Sequence, residues 1–137
     1  MELQDLIAIE EIKQLKARYF RLMDQGRWQE FAELFTDDVE QSWKPAPGEP
    51  PAGARGRETV VSYIRESVAG MRSVHHGHMP EIEITSDTTA TGVWALFDYC
   101  SQGETVIFNG AGYYRDSYIK RDGRWLIQST LLEAEQF

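Results

Sequence analysis

The sequence predicts an α+β fold in which three N-terminal helices pack into a curved, mostly antiparallel sheet that forms a cone-shaped barrel. In the first 70 residues, apolar side chains recur at spacings of three and four, which is typical of amphipathic helices. From about residue 78 onward, apolar and polar residues alternate, which is typical of strands with one buried face. Helices followed by a meander of long strands define an α+β architecture.

The helices are predicted over 3–24, 28–35 and 57–70. The first carries an apolar stripe and ends at Gln25-Gly26, where a glycine suits the helix C-terminus. Its stripe consists of Leu6, Ile9, Ile12, Leu15, Tyr19 and Leu22.

The strands are predicted over 39–43, 81–84, 88–99, 104–120 and 124–133. Asp122-Gly123 is a hairpin-turn signal between the last two. Three glycines within the strand pattern, Gly92, Gly110 and Gly112, suit the bends of a strongly curved sheet, and such a sheet encloses a pocket for a small apolar ligand.

The segment 44–53 is predicted to be a loop, because it holds four prolines and two glycines. Long loops often act as lids or binding segments, and a plain surface excursion is an equally good interpretation of this one.

Length and composition favour a single domain over residues 1–137. The net charge of −8 and the scattered Lys and Arg residues argue against a nucleic-acid partner. No apolar run approaches the ~20 residues of a membrane span, and no secretory signal is recognisable. Cys100 is the lone cysteine and lies in an apolar stretch, which favours a packed thiol. We therefore expect a cytoplasmic protein.

The three histidines of the chain lie in one cluster, His75-His76-Gly77-His78. On a strand, His76 and His78 would share one face and His75 the other. A metal site is disfavoured, because no cysteine lies near and no helical His-x-x-x-His pattern exists. The favoured interpretation is that one histidine faces the pocket as a base.

Acidic and phenolic residues supply possible partners. Asp24 ends the first helix, where the helix dipole disfavours a carboxylate, so a partner there would explain it. The alternative is a solvated helix-end residue. Tyr19 lies on the apolar stripe, where a tyrosine is more often core than catalyst. Asp98 alternates with Trp94 and Leu96, and burial there would raise its pKa.

Several motifs together resemble the SnoaL-like and scytalone-dehydratase-like proteins of the nuclear-transport-factor-2-like superfamily, with the closest likeness to bacterial bile acid 7α-dehydratases. They cover nearly the whole chain: Tyr19-Phe20-Arg21-x-x-Asp24, His75-x-Gly77-His78-x-Pro80-Glu81-Ile82, Thr88-Thr89-Ala90-Thr91-Gly92-x-Trp94, Asn109-Gly110, Tyr114-x-Asp116-x-Tyr118 and Asp122-Gly123-x-Trp125. The bile acid enzymes differ by a tyrosine where Trp43 stands.

The resemblance implies a general base at His75, its carboxylate partner at Asp24 and a carbonyl-polarising phenol at Tyr19. It leaves His76 without a counterpart. Substrate-binding residues are expected at Asp98, Asn109, Trp43, Trp94 and Phe20.

The function expected from these residues is loss of water from a small apolar ring compound, such as a steroid or a polyketide. No cofactor is expected, since no phosphate-binding loop is present. Isomerisation or cyclisation in the same pocket, or a non-catalytic binding domain, remain alternatives. A homo-oligomer, trimer or dimer, is expected to cover apolar outer-face residues such as Val93, Phe97 and Tyr99.

Overall fold

The structure, a computed structural model, describes residues 1–44, 48, 50 and 52–135; for residues 108, 109 and 135 it describes the backbone. Its elements, in chain order, are α1 (Leu3–Asp24), α2 (Trp28–Ala32), β1 (Phe35–Trp43), β2 (Ala52–Arg55), α3 (Arg57–Val68), β3 (Arg72–Ile84), β4 (Thr89–Gln102), β5 (Thr105–Arg121) and β6 (Arg124–Glu135). No helix among the described residues is both long enough and apolar enough to span a bilayer.

The described strands form one sheet in the order β2-β1-β6-β5-β4-β3. The β1–β6 pair is parallel and the other pairs are antiparallel. The sheet curls without closing, so that the helices pack into its concave side. The predicted α+β cone with a mostly antiparallel sheet is therefore confirmed.

The core lies between α1 and the concave face of the sheet. From α1, Ile12, Leu15 and Tyr19 are almost fully buried. They belong to the same core cluster as aromatic side chains from later elements of the chain: Phe31, Phe35, Tyr114, Tyr118 and Trp125. Since aromatic residues bury large areas, this layer supplies much of the stabilisation of the fold.

Several predictions about element boundaries and burial are wrong, and the structure shows the reason for each. The second helix ends at Ala32 instead of residue 35, because Phe35 already pairs with Ile127 of β6. The strand with the histidines begins at Arg72, well before 81, because it pairs along its length with β4. Leu6, predicted on the buried stripe, is 53% exposed near the free end of α1.

The predicted loop 44–53 is partly a strand, since Ala52 and Gly53 pair with β1. Residues 45–47, 49 and 51 of this segment, and with them most of the possible lid, lie outside the described residues. The predicted Asp-Gly turn is confirmed: Asp122 and Gly123 have φ of 52° and 75°, the left-handed pair that a two-residue hairpin favours.

Candidate active site

A cavity of about 400 Å³ opens between α1, α3 and the concave face of the sheet. Its walls are mostly apolar and aromatic, with a few polar side chains among them. They comprise Tyr19, Met23, Gln41, Trp43, Tyr63, Ile64, Ser67, Val68, Met71, His75, Asp98, Cys100, Ile107, Tyr114 and Leu132. A concave apolar site with few polar groups is typical of small-molecule binding.

The end of α1 meets β3 at this cavity. The carboxylate of Asp24 receives three hydrogen bonds: the Ser73 hydroxyl donates at 3.1 Å, the His75 backbone N–H at 2.9 Å, and His75 Nδ1 lies 2.5 Å from Asp24 Oδ1. The predicted contact between Asp24 and a ring nitrogen of His75 is thus present. These hydrogen bonds offset the unfavourable interaction between the carboxylate and the negative end of the helix dipole.

The carboxylate also selects the tautomer of His75. In a neutral ring, Nδ1–H donates to Asp24, and Nε2 keeps the lone pair. Since His75 lines the cavity and its side chain is 9% exposed, Nε2 is the nitrogen available to a bound molecule. A carboxylate in this position can also stabilise the positive charge of a protonated imidazole ring.

Asp98 is the cross-strand neighbour of His75 and lines the same cavity. It is 5% exposed, and its Oδ1 has no hydrogen-bond partner among the residues that the structure describes. Burial raises the pKa of Asp98 to about 6, against the opposing influence of His75. Below that pH the group is a carboxylic acid that can donate a proton.

Two tyrosines stand side by side in the cavity wall. The ring centroids of Tyr19 on α1 and Tyr114 on β5 lie 5.9 Å apart, nearly perpendicular. Burial raises the pKa of both phenols above the ordinary value, and the nearby acids Asp98 and Asp116 add to the effect. Both groups therefore stay protonated, and each hydroxyl can donate a hydrogen bond.

Beneath the tyrosines runs a buried polar chain. Lys16 Nζ pairs with Asp116 Oδ2 at 2.8 Å, and both side chains are fully buried. The Tyr118 hydroxyl donates to the same Oδ2 at 2.8 Å, and Trp94 Nε1 donates to the Tyr118 oxygen at 2.9 Å. This chain ties α1 to β5 and β4.

The other predicted substrate-binding residues have different positions. Trp43 lines the cavity, where its ring packs on Tyr63 with centroids 4.4 Å apart. Phe20 and Trp94 do not line it, because both turn toward Gly77, whose missing Cβ leaves room for their rings. The side chain of Asn109 lies outside the described residues.

His76 and His78 lie together on the other face of β3, as the strand periodicity predicts. Their rings are stacked 5.8 Å apart, and His76 Nδ1 lies 3.1 Å from the Phe97 carbonyl oxygen. Within the part of the chain that the structure describes, no group of three or more His, Cys, Asp or Glu side chains is arranged to hold a metal.

Sequence reasoning did not single out Lys16, Gln41 or Tyr114 as site residues. Lys16 had a usable signal: it falls one turn after Ile12 and three residues before Tyr19, which places a charge on the buried stripe. Gln41 is 5% exposed and lines the cavity from β1. It had no such signal, because an alternating strand does not show which face is buried.

A curled sheet over N-terminal helices, with a cavity between them, defines the nuclear-transport-factor-2-like class of folds. Within that class the chain belongs to the family of SnoaL-like domains, whose model matches residues 4–130. The fold and the family expected from the sequence are confirmed.

Solved structures similar to this chain span nearly all of it. A scytalone dehydratase candidate from Novosphingobium aromaticivorans is 24% identical over 99% of this chain and 89% of that chain, with a TM-score of 0.84. A protein of unknown function from Mycobacterium tuberculosis is 25% identical over 97% of this chain and 75% of that chain, with a TM-score of 0.84. A hexachlorocyclohexane dehydrochlorinase is 17% identical over 100% of this chain and 91% of that chain, with a TM-score of 0.80.

Proposed function

We propose that this protein is an enzyme of the lyase type that removes water from a small apolar ring compound, of steroid or polyketide type, without a cofactor. The observation that carries the proposal is the contact of 2.5 Å between His75 Nδ1 and Asp24 Oδ1 at the wall of an apolar cavity. A buried histidine oriented by a carboxylate is the arrangement of a general base. Similarity to a dehydrochlorinase and to a scytalone dehydratase candidate is consistent with elimination chemistry.

The proposed reaction begins with proton abstraction. Nε2 of His75 takes a proton from the carbon next to a carbonyl group, and the electron pair of that C–H bond moves into an enolate. Tyr19 and Tyr114 donate hydrogen bonds to the enolate oxygen, where negative charge develops. Because the cavity is apolar, these donors are worth more there than in water.

Loss of the hydroxyl group completes the elimination. The enolate electrons form the new C=C bond, the C–O bond breaks, and the departing oxygen takes a proton from the carboxylic acid of Asp98. The products are the conjugated carbonyl compound and water. The imidazolium of His75 then returns its proton to Asp98, which lies opposite it on the neighbouring strand. Both groups are thereby restored without another reactant.

The test is product analysis on a panel of bicyclic and steroidal β-hydroxy ketones. Loss of water is measured by mass spectrometry and by the ultraviolet absorbance of the conjugated product. We expect turnover by the wild type, a loss of about 10²–10⁴-fold in His75→Ala, and little change in the matched control His76→Ala. The proposal is wrong if His75→Ala keeps most of the activity or if His76 is the required histidine. Products that keep the water would indicate isomerisation or cyclisation from the same enolate.

We also propose that the protein works as a homo-oligomer. Val74, Phe97 and Tyr99 are neighbours on the outer face of β3 and β4, and each is 40–43% exposed. A contiguous apolar patch of this kind is usually covered by a partner. Light scattering at micromolar concentration should give the mass of a dimer or a trimer, and a monomer would contradict this expectation.

A further inference from the structure

Lys16 is fully buried in the core, where it has no contact with solvent. Burial lowers the pKa of its amino group, and the neighbouring Asp116 carboxylate opposes that shift. The ammonium nitrogen of Lys16 lies 4.1 Å from the ring centroid of Tyr19 and 3.9 Å from that of Tyr114. Both rings belong to the cavity wall, so the nitrogen lies behind two of its phenols at once. Lys16 itself does not line the cavity.

Burying a cation in this way is costly. An ion pair in the core contributes little to stability compared with apolar side chains of the same volume, because both charges lose their hydration. The pairing of Lys16 with Asp116 reduces the free-energy cost of burying the ammonium. It does not explain why a lysine occupies this position. The aromatic rings turned toward the ammonium offer an explanation: those of Tyr19 and Tyr114, with Phe20 farther away at 5.3 Å.

A cation over the face of an aromatic ring is attracted to the electron density of that ring. It draws this density away from the phenol oxygen, so the hydroxyl becomes a stronger hydrogen-bond donor. It also holds the ring in place, since any tilt of Tyr19 or Tyr114 would lengthen the contact. Both effects act where an enolate oxygen needs donors fixed in advance.

We propose that Lys16 is a positioning residue, which orients Tyr19 and Tyr114 from behind and strengthens their hydroxyls as donors to the substrate oxygen. This role rests on the proposed function. It assigns Asp116 the part of holding the ammonium between the rings, through the contact of 2.8 Å at Oδ2. The Tyr118 hydroxyl donates a hydrogen bond to the same oxygen.

The test removes both charges together, because Lys16→Met alone would leave the buried Asp116 carboxylate without its partner. Lys16→Met with Asp116→Asn is compared with the wild type, and the same pair of changes is made in Tyr19→Phe/Tyr114→Phe protein. Turnover is measured on the β-hydroxy ketone that the wild type converts best. We expect kcat to fall about tenfold in the wild-type background, the rate equivalent of cation–π contacts with two rings, with KM nearly unchanged.

The expected signature of the role is its dependence on the phenols. In the background without the two hydroxyls, the same charge removal should change kcat less than twofold. A structural role would lower kcat in both backgrounds alike, and that result would overturn the proposal. A wild type that converts no member of the panel would overturn the proposed function, and this role with it.

A second measurement does not depend on activity and is made first on the wild type. In protein labelled with ¹⁵N-lysine at pH 7, we expect one ammonium resonance that exchanges slowly with water and is displaced by the ring currents of the two tyrosines. Tyr114→Phe should leave this resonance in place, because the ring face remains. A spectrum without a protected ammonium signal would show that Lys16 carries no charge between the rings, and the proposal would fall whatever the protein catalyses.

Discussion

Replacement of Asp98 by asparagine should make the protein more stable at neutral pH, and it removes a titratable carboxyl group from the candidate site. Burial raises the pKa of Asp98 from 3.8 to about 6. Each tenfold change in proton affinity corresponds to ~1.4 kcal/mol. The ionised form of Asp98 therefore lowers the free energy of unfolding by up to about 3 kcal/mol. Asparagine has a similar shape and cannot ionise.

The sign follows from proton binding. Between about pH 4 and pH 6 the folded protein holds the Asp98 proton more tightly than the unfolded chain, so its contribution to stability falls as pH rises through this window. Above about pH 7 the loss is nearly complete. For 137 residues the entropy of unfolding is roughly 0.3 kcal/mol/K, so 3 kcal/mol corresponds to about 10 °C in Tm.

Thermal unfolding of the wild type and Asp98→Asn, followed by circular dichroism at pH 4, 5, 6, 7 and 8, measures this directly. The advantage of Asp98→Asn in Tm should be small at pH 4, grow up to pH 6–7 and then level off near 10 °C. Asp87→Asn, at an exposed turn position, is the matched control and should show no such growth. A Tm difference that stays constant over the whole pH range would refute the reasoning.

Three further results are expected. The pH profile of kcat/KM should fall above about pH 6 as Asp98 loses its proton, and Asp98→Asn should lack this limb; a profile still rising through pH 8 would exclude Asp98 as the acid. Asp24→Asn should cost nearly as much activity as loss of the base, since an amide can hold His75 in the wrong tautomer, whereas steady-state rates within threefold of wild type would contradict that role. In Gly77→Ala the new Cβ would lie 2.6 Å from Phe20 Cε2, so denaturant unfolding should show a loss of ~1–3 kcal/mol that shrinks when Phe20→Leu is added.

The period of the hydrophobic pattern was enough to predict the class of fold, because amphipathic helices and half-buried strands each leave a distinct repeat. The 22 residues of α1 match the predicted range. The short elements were harder. Strand β2 has four residues and follows a run of prolines, so its pairing with β1 leaves no local signal. Phe35 lies where a helical pattern and a strand overlap, and its pairing with β6 decides between them.

The candidate site was likewise only partly predictable from the sequence. The contact between Asp24 and His75 joins residues 51 positions apart, and resemblance to a family could indicate it where spacing could not. Phe20 and Trp94 were expected near substrate because they belong to the same motifs. Their rings instead fill the space beside Gly77. The motifs thus predicted which segments lie near the cavity. They did not show which side chains face the cavity and which pack behind its wall.

Three residues of this chain go against the preferences of their own elements. Asp24 stands at the negative end of a helix dipole, Lys16 lies on an apolar stripe, and Asp98 is a carboxyl group among buried side chains. Each of these choices lowers stability when it is taken alone. All three lie at one cavity or directly behind its wall, where Asp24 contacts His75, Asp98 has a raised pKa and Lys16 faces the rings of Tyr19 and Tyr114. Departures from local preference that converge on one place are characteristic of a functional site. An accidental cavity lined by residues chosen for packing would instead be expected to tolerate apolar replacements at all three positions.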